Sequence, residues 1–174
     1  QARRAVVPGV MNAVARSFAN VDATLTGGEV GWSLPLVFGR VFVSGDVSWV
    51  RGEQDGDPGR GIAPGPLAEM PPARGRVSAR YDDGGFFGSV EGVFAADQER
   101  VDVSLNEAPT PGWGVVNATA GFRQGRLRLT AGVANVFDRL YVDHLSFQRD
   151  PFRSGVRVPE PGRRDVGPDR FRST

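Results

Sequence analysis

The sequence contains no cysteine and no lysine, and it has a single histidine, His144. Because cysteine is absent, a disulfide framework and any thiolate metal site are excluded. All positive charge comes from arginine, and the formal net charge is only +1 at pH 7. Since the arginines are interspersed with acidic residues, the composition does not indicate a nucleic-acid partner.

Long apolar runs are missing as well. No stretch approaches the roughly 20 apolar residues that a transmembrane helix requires. This does not exclude a membrane barrel, whose strands need only about 9–11 residues with one apolar face. Residues 1–4 lack the basic-then-apolar layout of a signal peptide, and the chain does not begin with Met. We therefore expect a fragment or a truncated gene product.

The sequence has no constellation of catalytic residues. It contains neither a nucleophile elbow nor a phosphate-binding loop, and its glycine pairs lack the strand-loop-helix context of a nucleotide site. Asp55 and Asp57 are too sparse for a calcium-binding loop. We therefore expect no enzymatic activity, no cofactor and no resident metal ion.

Glycine and proline are plentiful, with 24 and 13 residues, and most of them separate short runs in which apolar and polar residues alternate. A period of two is typical of strands with one apolar face. The six runs span residues 21–34, 41–49, 76–82, 86–96, 116–123 and 126–137. The last run places on one face Leu127, Leu129, Ala131, Val133 and Phe137. The sequence therefore predicts an all-β fold with six antiparallel strands in an up-and-down meander.

The connections between these runs alternate in length. Tight turns are predicted near residues 37–39, 82–85 and 124–125, and the long polar connections are residues 53–72, 102–112 and 148–164. Transmembrane barrels have short periplasmic turns at one rim and longer extracellular loops at the other. In the first run the phase of the pattern shifts at Gly27 and Gly28, which predicts a β-bulge.

Two other β architectures remain open. A soluble β-sandwich, serving as a binding or adhesion module, would pack its apolar faces between two sheets about 10 Å apart. A small closed barrel with a structural role in the outer membrane would need at least about eight strands. Several runs have about 11 or more residues, whereas soluble strands have about 5–6, and the polar faces carry charge. Both features favour a segment of a transmembrane barrel.

Residues 132–141 (GVANVFDRLY) are similar to a signature in the penultimate barrel strand of TonB-dependent outer-membrane receptors. Further segments match this family in its order and at its spacing. They are residues 20–29, 70–74, 106–112, 142–152 and 158–162. The resemblance covers residues 19–163 and implies part of a barrel of about 22 strands, in the outer membrane of a Gram-negative bacterium.

The resemblance implies a division of the chain into three parts. Residues 1–18 form a poorly defined lead-in, residues 19–163 form the C-terminal barrel segment, and residues 164–174 form an atypical or disordered tail. The family ends in a strand with a terminal aromatic residue, whereas this tail is charged, contains Pro168 and closes on Thr174. We therefore expect the tail not to pair with the sheet.

The function implied by the resemblance is TonB-energised active uptake of a scarce nutrient, such as an iron-siderophore, another metal complex or cobalamin. The implied partners are outer-membrane lipid, the plug domain that fills the barrel, the TonB complex, and a metal chelate or similar small ligand. Because the chain has neither plug nor TonB box, we do not expect it to transport by itself.

Four residues are candidates for contacts within such a receptor. Glu29 resembles the lumen-facing barrel glutamates that bind plug arginines, and Glu91 is a second candidate. The alternative for both, favoured for Glu91, is an exposed strand carboxylate. His144 lies near the extracellular end of the sixth run and could contact a metal-bearing ligand, although a lone histidine is more often structural. Met70 could bind copper as a soft ligand, with a structural role again as the alternative.

Overall fold

The computed structural model describes residues 2–6, 14–18, 20–146 and 157–166, which form an antiparallel all-β structure. The main sheet has eight strands. They are β3 (Ala23–Leu36), β4 (Val41–Gln54), β5 (Gly65–Pro66), β6 (Arg74–Asp82), β7 (Phe86–Ala95), β8 (Trp113–Gln124), β9 (Leu127–Ala134) and β10 (Arg164–Val166). A separate hairpin consists of β1 (Ala2–Val6) and β2 (Val14–Phe18).

The main sheet has the predicted meander topology. Its spatial order is β3-β4-β6-β7-β8-β9-β10, and the short β5 pairs only with the end of β4. The six predicted strands are therefore confirmed as β3, β4, β6, β7, β8 and β9. Over the described part of the chain the sheet does not close on itself, so β3 and β10 form its two edges.

The C-terminal end of the sheet differs from the expectation. Arg164 to Val166 pair with β9, whereas the sequence favoured an unpaired tail from residue 164 onward. Asp165 of β10 lies on the apolar face of the sheet, opposite Val133, and its carboxylate lies 3.5 Å from Arg163 Nε. Val133 is near the loop end of β9, where a charge costs less than at the middle of a strand. Residues 167–174, including Pro168, lie outside the described residues.

The connections alternate as predicted. Short turns join β3 to β4 through one helical turn, α1 (Val37–Arg40), β6 to β7 through residues 83–85, and β8 to β9 through residues 125–126. Gly84 and Gly125 have φ of +92° and +59°, which glycine adopts without strain. The Asp83 carboxylate accepts hydrogen bonds from the backbone N–H of Gly85 and Phe86, at 2.9 and 2.7 Å. The long connections are residues 55–73, 96–112 and 135–163.

The predicted bulge at Gly27 and Gly28 is wrong. Gly27 pairs with Val50 and Gly28 with Trp49 in a register that runs unbroken along β3 and β4. A Cβ at Gly27 would lie 2.6 Å from the Trp49 carbonyl oxygen, so glycine permits a close backbone approach here. Because the register does not shift, Leu25 lies on the same face as Glu29 rather than with the apolar residues that follow.

The predicted sixth strand is too long. β9 ends at Ala134, because Asn135 has φ of +50° and Asp138 has φ of +51°, which turn the chain away from the sheet. The Asn135 side chain stabilises this turn, since its Oδ1 accepts from Arg139 N at 2.9 Å and its Nδ2 donates to the Arg139 carbonyl at 2.8 Å. Phe137 therefore lies outside the strand and is exposed.

The register gives the sheet one apolar and one polar face. The apolar face carries Val30, Trp32, Leu34, Val43, Val47, Val77, Ala79, Phe86, Val90, Phe94, Val116, Ala118, Ala120, Phe122, Leu129, Ala131 and Val133. The polar face carries Glu29, Ser33, Ser44, Asp46, Arg76, Ser78, Arg80, Asp82, Ser89, Glu91, Asn117, Thr119, Arg123, Arg128 and Thr130. This separation confirms the alternation in the sequence.

The apolar face is open rather than packed. Phe86 and Val90 remain 67% and 54% exposed, and the described strands provide no second sheet to cover them. The few buried apolar side chains of the described residues belong to the long loops or the adjoining strand ends and are Ile62, Ala95, Val101 and Val115. A sandwich core is therefore missing from the described part of the chain. None of its helices is both long and apolar enough to cross a membrane.

Several aromatic rings cover glycines on the neighbouring strand. Trp32 lies over Gly45 and Phe94 lies over Gly75, and both pairs are direct partners across the ladder. A Cβ at Gly75 would lie 2.4 Å from Phe94 Cζ and 3.1 Å from the Asp46 carbonyl oxygen. Such aromatic cover excludes solvent from the glycine backbone and helps to specify the strand register.

We expect Gly75→Ala to destabilise the protein by about 1–3 kcal/mol, because the new methyl group must displace Phe94 and crowd the β4 backbone. Gly92→Ala is the matched control, since it lies on the same face and a Cβ there meets nothing closer than Val77 O at 4.0 Å. Urea unfolding of both variants in detergent micelles measures the difference. Equal unfolding midpoints would show that the glycine is not required for packing.

Candidate functional site

The candidate residues lie in two regions, the polar face of the sheet and the base of the long loops. Glu29 on β3 is exposed on the polar face, directly opposite Ser48, and makes no hydrogen bond or ion pair to any described residue. Glu91 lies on the same face but on β7, so that β4 and β6 separate the two carboxylates.

Glu91 belongs to a network that crosses four strands. Arg76 binds Asp46 through Nε at 2.9 Å and through its terminal nitrogen at 2.7 Å, and Arg76 Nε lies 3.9 Å from Glu91 Oε2. Asn117 Nδ2 donates to Glu91 Oε1 at 3.3 Å, and Asn117 Oδ1 accepts from Asn135 N at 3.0 Å. Glu91 is therefore already partnered within the wall, whereas Glu29 is available to a partner outside it.

His144 lies at the base of the loops and is 1% exposed. Its Nε2 lies 3.0 Å from Glu107 Oε1, and its Nδ1 lies 2.8 Å from Thr110 Oγ1. An ionised carboxylate can only accept, so Nε2 carries a proton, and in the neutral ring Nδ1 accepts from the threonine hydroxyl. Both ring nitrogens are therefore engaged, and a ligand would have to displace Thr110 or Glu107 to reach the imidazole.

The Glu107 carboxylate is the point at which all three long loops meet. It accepts from the backbone N–H of Glu69 at 2.9 Å and of Asp102 at 2.8 Å, in addition to His144. Arg157 lies 3.8 Å away and also donates to the Ser146 carbonyl at 3.3 Å. We call Glu107, His144, Thr110 and Arg157 the loop hub. Sequence reasoning missed Glu107, although it lies within the family-like segment 106–112.

Burial alone would raise the pKa of the Glu107 carboxyl. The hydrogen bonds from His144 and from the backbone of Asp102 and Glu69 outweigh it and lower the pKa below the usual 4.5. A lowered pKa in the folded state means that this carboxylate stabilises the loops at pH values above 4.5. That stabilisation is lost as the pH falls from 4.5 through the lower folded value.

We predict that Glu107→Ala loosens the loops by about 1–3 kcal/mol at pH 7, because it leaves buried donors without an acceptor. Glu99→Ala is the control, since Glu99 is an exposed carboxylate of the same loop. Hydrogen exchange of the three loops, measured between pH 7 and pH 4, reports both effects. Protection that is equal in the two variants, or that rises on acidification, would contradict the assigned role of Glu107.

Met70 lies in the first long loop and is half-buried. Its carbonyl oxygen accepts from Gln98 Nε2 at 2.9 Å, and its sulfur packs over Gly52. It also lines a cavity of about 220 Å³ between the end of β4 and residues 96–100. Met70 and His144 therefore belong to the same loop assembly but have different neighbours. No group of three or more His, Asp or Glu residues in the described ranges could hold a metal ion.

The family model for TonB dependent receptor-like β-barrels matches residues 3–136, which is most of the chain. The chain therefore belongs to this family of outer-membrane proteins of Gram-negative bacteria. Among solved structures it is similar to the copper transporter OprC, with a TM-score of 0.77 and 27% sequence identity. The match covers 93% of this chain but spans only 25% of that transporter. A search of curated proteins gives no match.

Family membership explains the two faces of the sheet. In an outer-membrane barrel the apolar face of each strand contacts lipid and the opposite face lines the lumen. The exposure of Phe86 and Val90 is then contact with the bilayer, and the charged network around Arg76 lies inside the barrel. The fold prediction and the outer-membrane localisation are both confirmed.

We expect Val90→Arg to impair assembly in the outer membrane, because an arginine near the bilayer midplane costs about 2–4 kcal/mol on the lipid face. Ser89→Arg is the matched control, as it is the adjacent residue of β7 and points to the polar face. The measurement is the amount of folded protein in outer-membrane fractions, judged by heat-modifiable migration in gels. A greater loss for Ser89→Arg would mean that the faces are reversed.

Proposed function

We propose that the chain supplies wall strands to a receptor that takes up a metal complex across the outer membrane with energy from TonB. The observation that carries this proposal is the family match, together with the similarity to a copper transporter. The transported nutrient would be an iron-siderophore, another metal complex or cobalamin, and the copper transporter favours a metal. The activity is transport and not catalysis.

The alternation of turns gives the wall an orientation. The short turns at residues 37–40, 83–85 and 125–126 lie at the periplasmic rim, and the three long loops face the outside of the cell. The loop hub then holds the outer loops together at the entrance of the barrel. Ligand selection would depend on these loops and on the plug that fills such a barrel.

Glu29 is the stronger of the two proposed plug contacts. Its carboxylate has no partner among the described residues and lies on the luminal face, where it could accept two hydrogen bonds from a plug arginine. Glu91 would have to share its carboxylate with Arg76 and Asn117. We therefore propose Glu29 as the primary contact and Glu91 as a secondary one.

The two proposed ligand contacts differ in accessibility. The Met70 thioether borders a cavity and is a soft donor suited to copper(I). His144 is fully buried and supports the loops through Glu107 and Thr110. A direct metal contact by His144 would require the loop hub to open, so we propose Met70 as the more accessible contact.

Uptake by intact cells tests the proposed function. Deletion of the gene is expected to abolish accumulation of one cargo among radiolabelled copper, an iron-siderophore and cobalamin, and deletion of the TonB gene should have the same effect. In complementation, Glu29→Gln should lower uptake about tenfold, because a charged plug contact is lost, whereas Ser33→Ala on the same face should not. Unchanged uptake of every cargo in the deletion strain would contradict the proposal.

A further inference from the structure

The luminal face carries three arginines close to the short turns. Arg80 on β6 lies over the Phe42 ring at 5.0 Å, and the guanidinium groups of Arg123 on β8 and Arg128 on β9 lie 4.3 and 4.9 Å from the centre of the Phe87 ring. We call Arg80, Arg123 and Arg128 the rim arginines. Stacking on the two phenylalanines holds their charged groups along the wall.

The charge of the rim arginines is not balanced within the wall. Asp82 binds Arg123 through two hydrogen bonds of 2.9 and 3.2 Å. Arg80 and Arg128 have no hydrogen bond or ion pair to a carboxylate in the described part of the chain, and both are exposed. Two positive charges therefore remain in excess. The adjoining turns add Arg40, Asp83 and Arg126, which are positive on balance.

The strand register makes the arrangement of the rim arginines energetically unfavourable unless a negatively charged group binds them. Arg123 and Arg128 are directly opposite each other on β8 and β9. Like charges in that position destabilise a sheet, since their Cβ atoms lie only about 4.5–5.5 Å apart. Further from the short turns the same face has the opposite balance, because Glu29, Asp46 and Glu91 outnumber Arg74 and Arg76. The excess of positive charge on this face therefore lies at the short-turn end of the lumen.

We propose that the rim arginines bind an acidic segment of the polypeptide that fills the barrel, at its periplasmic end. Guanidinium groups bind carboxylates in a fork of two hydrogen bonds, and the contact strengthens as the filled lumen excludes water. The arginines extend from β6 to β9, which is about 14 Å at the usual strand spacing. One small anion cannot contact that whole row, whereas a peptide with two or more carboxylates can. The inference rests on the proposed function, since it requires a plugged barrel.

The absence of lysine from this chain allows a direct test. Arg128→Lys and, separately, Arg80→Lys keep the positive charge and introduce the only side-chain amine of the segment into the intact receptor. A carbodiimide that joins amines to carboxylates in direct contact is then applied to receptor in outer membranes, and mass spectrometry identifies the joined peptides. We expect both introduced lysines to join to aspartate or glutamate of the plug.

Arg126→Lys is the matched control, because it lies in the β8 to β9 turn next to the rim arginines but not on the luminal face of a strand. The yield of product that joins this lysine to the plug should be at least about fivefold lower, because a solvent-exposed charge in the turn has no fixed partner. The parent receptor, without an introduced lysine in this segment, gives the background. If the lysines introduced at positions 80 and 128 join only to Asp82, or if neither gives a joined product, the inference is overturned.

A second measurement does not depend on chemical joining. Arg80→Gln combined with Arg128→Gln should speed hydrogen exchange of the plug about twofold to fivefold for each charge removed. Arg126→Gln should leave that exchange unchanged. If uptake remains TonB-dependent and neither measurement shows a plug contact, this inference fails while the proposed function stands. If the purified receptor has no plug, or uptake does not depend on TonB, both fail.

Discussion

The structure depends on one constraint, the unbroken antiparallel register from β3 to β9. In a bilayer every backbone N–H and C=O must be paired within the protein, and a continuous ladder provides that pairing. The same register assigns each side chain to one of two faces, so it creates the lipid surface and the luminal surface together. A shift of one residue in any strand would exchange the two faces of that strand. Lipid contact, the luminal charge network and the rim arginines are all consequences of this single geometry.

Burial is distributed in an unusual way for a chain of this length. The strands have little core of their own, since their apolar side chains are covered by lipid in the membrane. Packing and buried polar contacts are concentrated instead in the long loops, around the Glu107 carboxylate and His144. A buried carboxylate that is fully hydrogen-bonded is compatible with stability, whereas a half-satisfied one is not. The loops are therefore coupled to one another through a small number of polar atoms.

The sequence predicted most of the fold but failed where local conformation or backbone contact decided the outcome. The phase shift at Gly27 suggested a bulge, yet the glycine serves a close approach to β4 and the ladder continues. Phe137 matched the alternation of β9, but Asn135 has a positive φ and ends the strand three residues earlier. The charge and proline of the tail predicted no pairing, but residues 164–166 pair with β9. The first two errors arose because periodicity records side-chain pattern and not backbone geometry.

The sequence by itself determined the six main strands, the short turns, the polarity of the two faces and the family, because alternation and turn residues are local signals. Tertiary structure alone decided which distant residues meet. Arg74 binds Asp143 at 2.6 Å across a separation of 69 residues. The Glu107 carboxylate accepts hydrogen bonds from N–H groups of three loops. The opposition of Arg123 and Arg128 likewise depends on strand register. Such contacts follow from pairing between distant segments, which no local pattern of residues encodes.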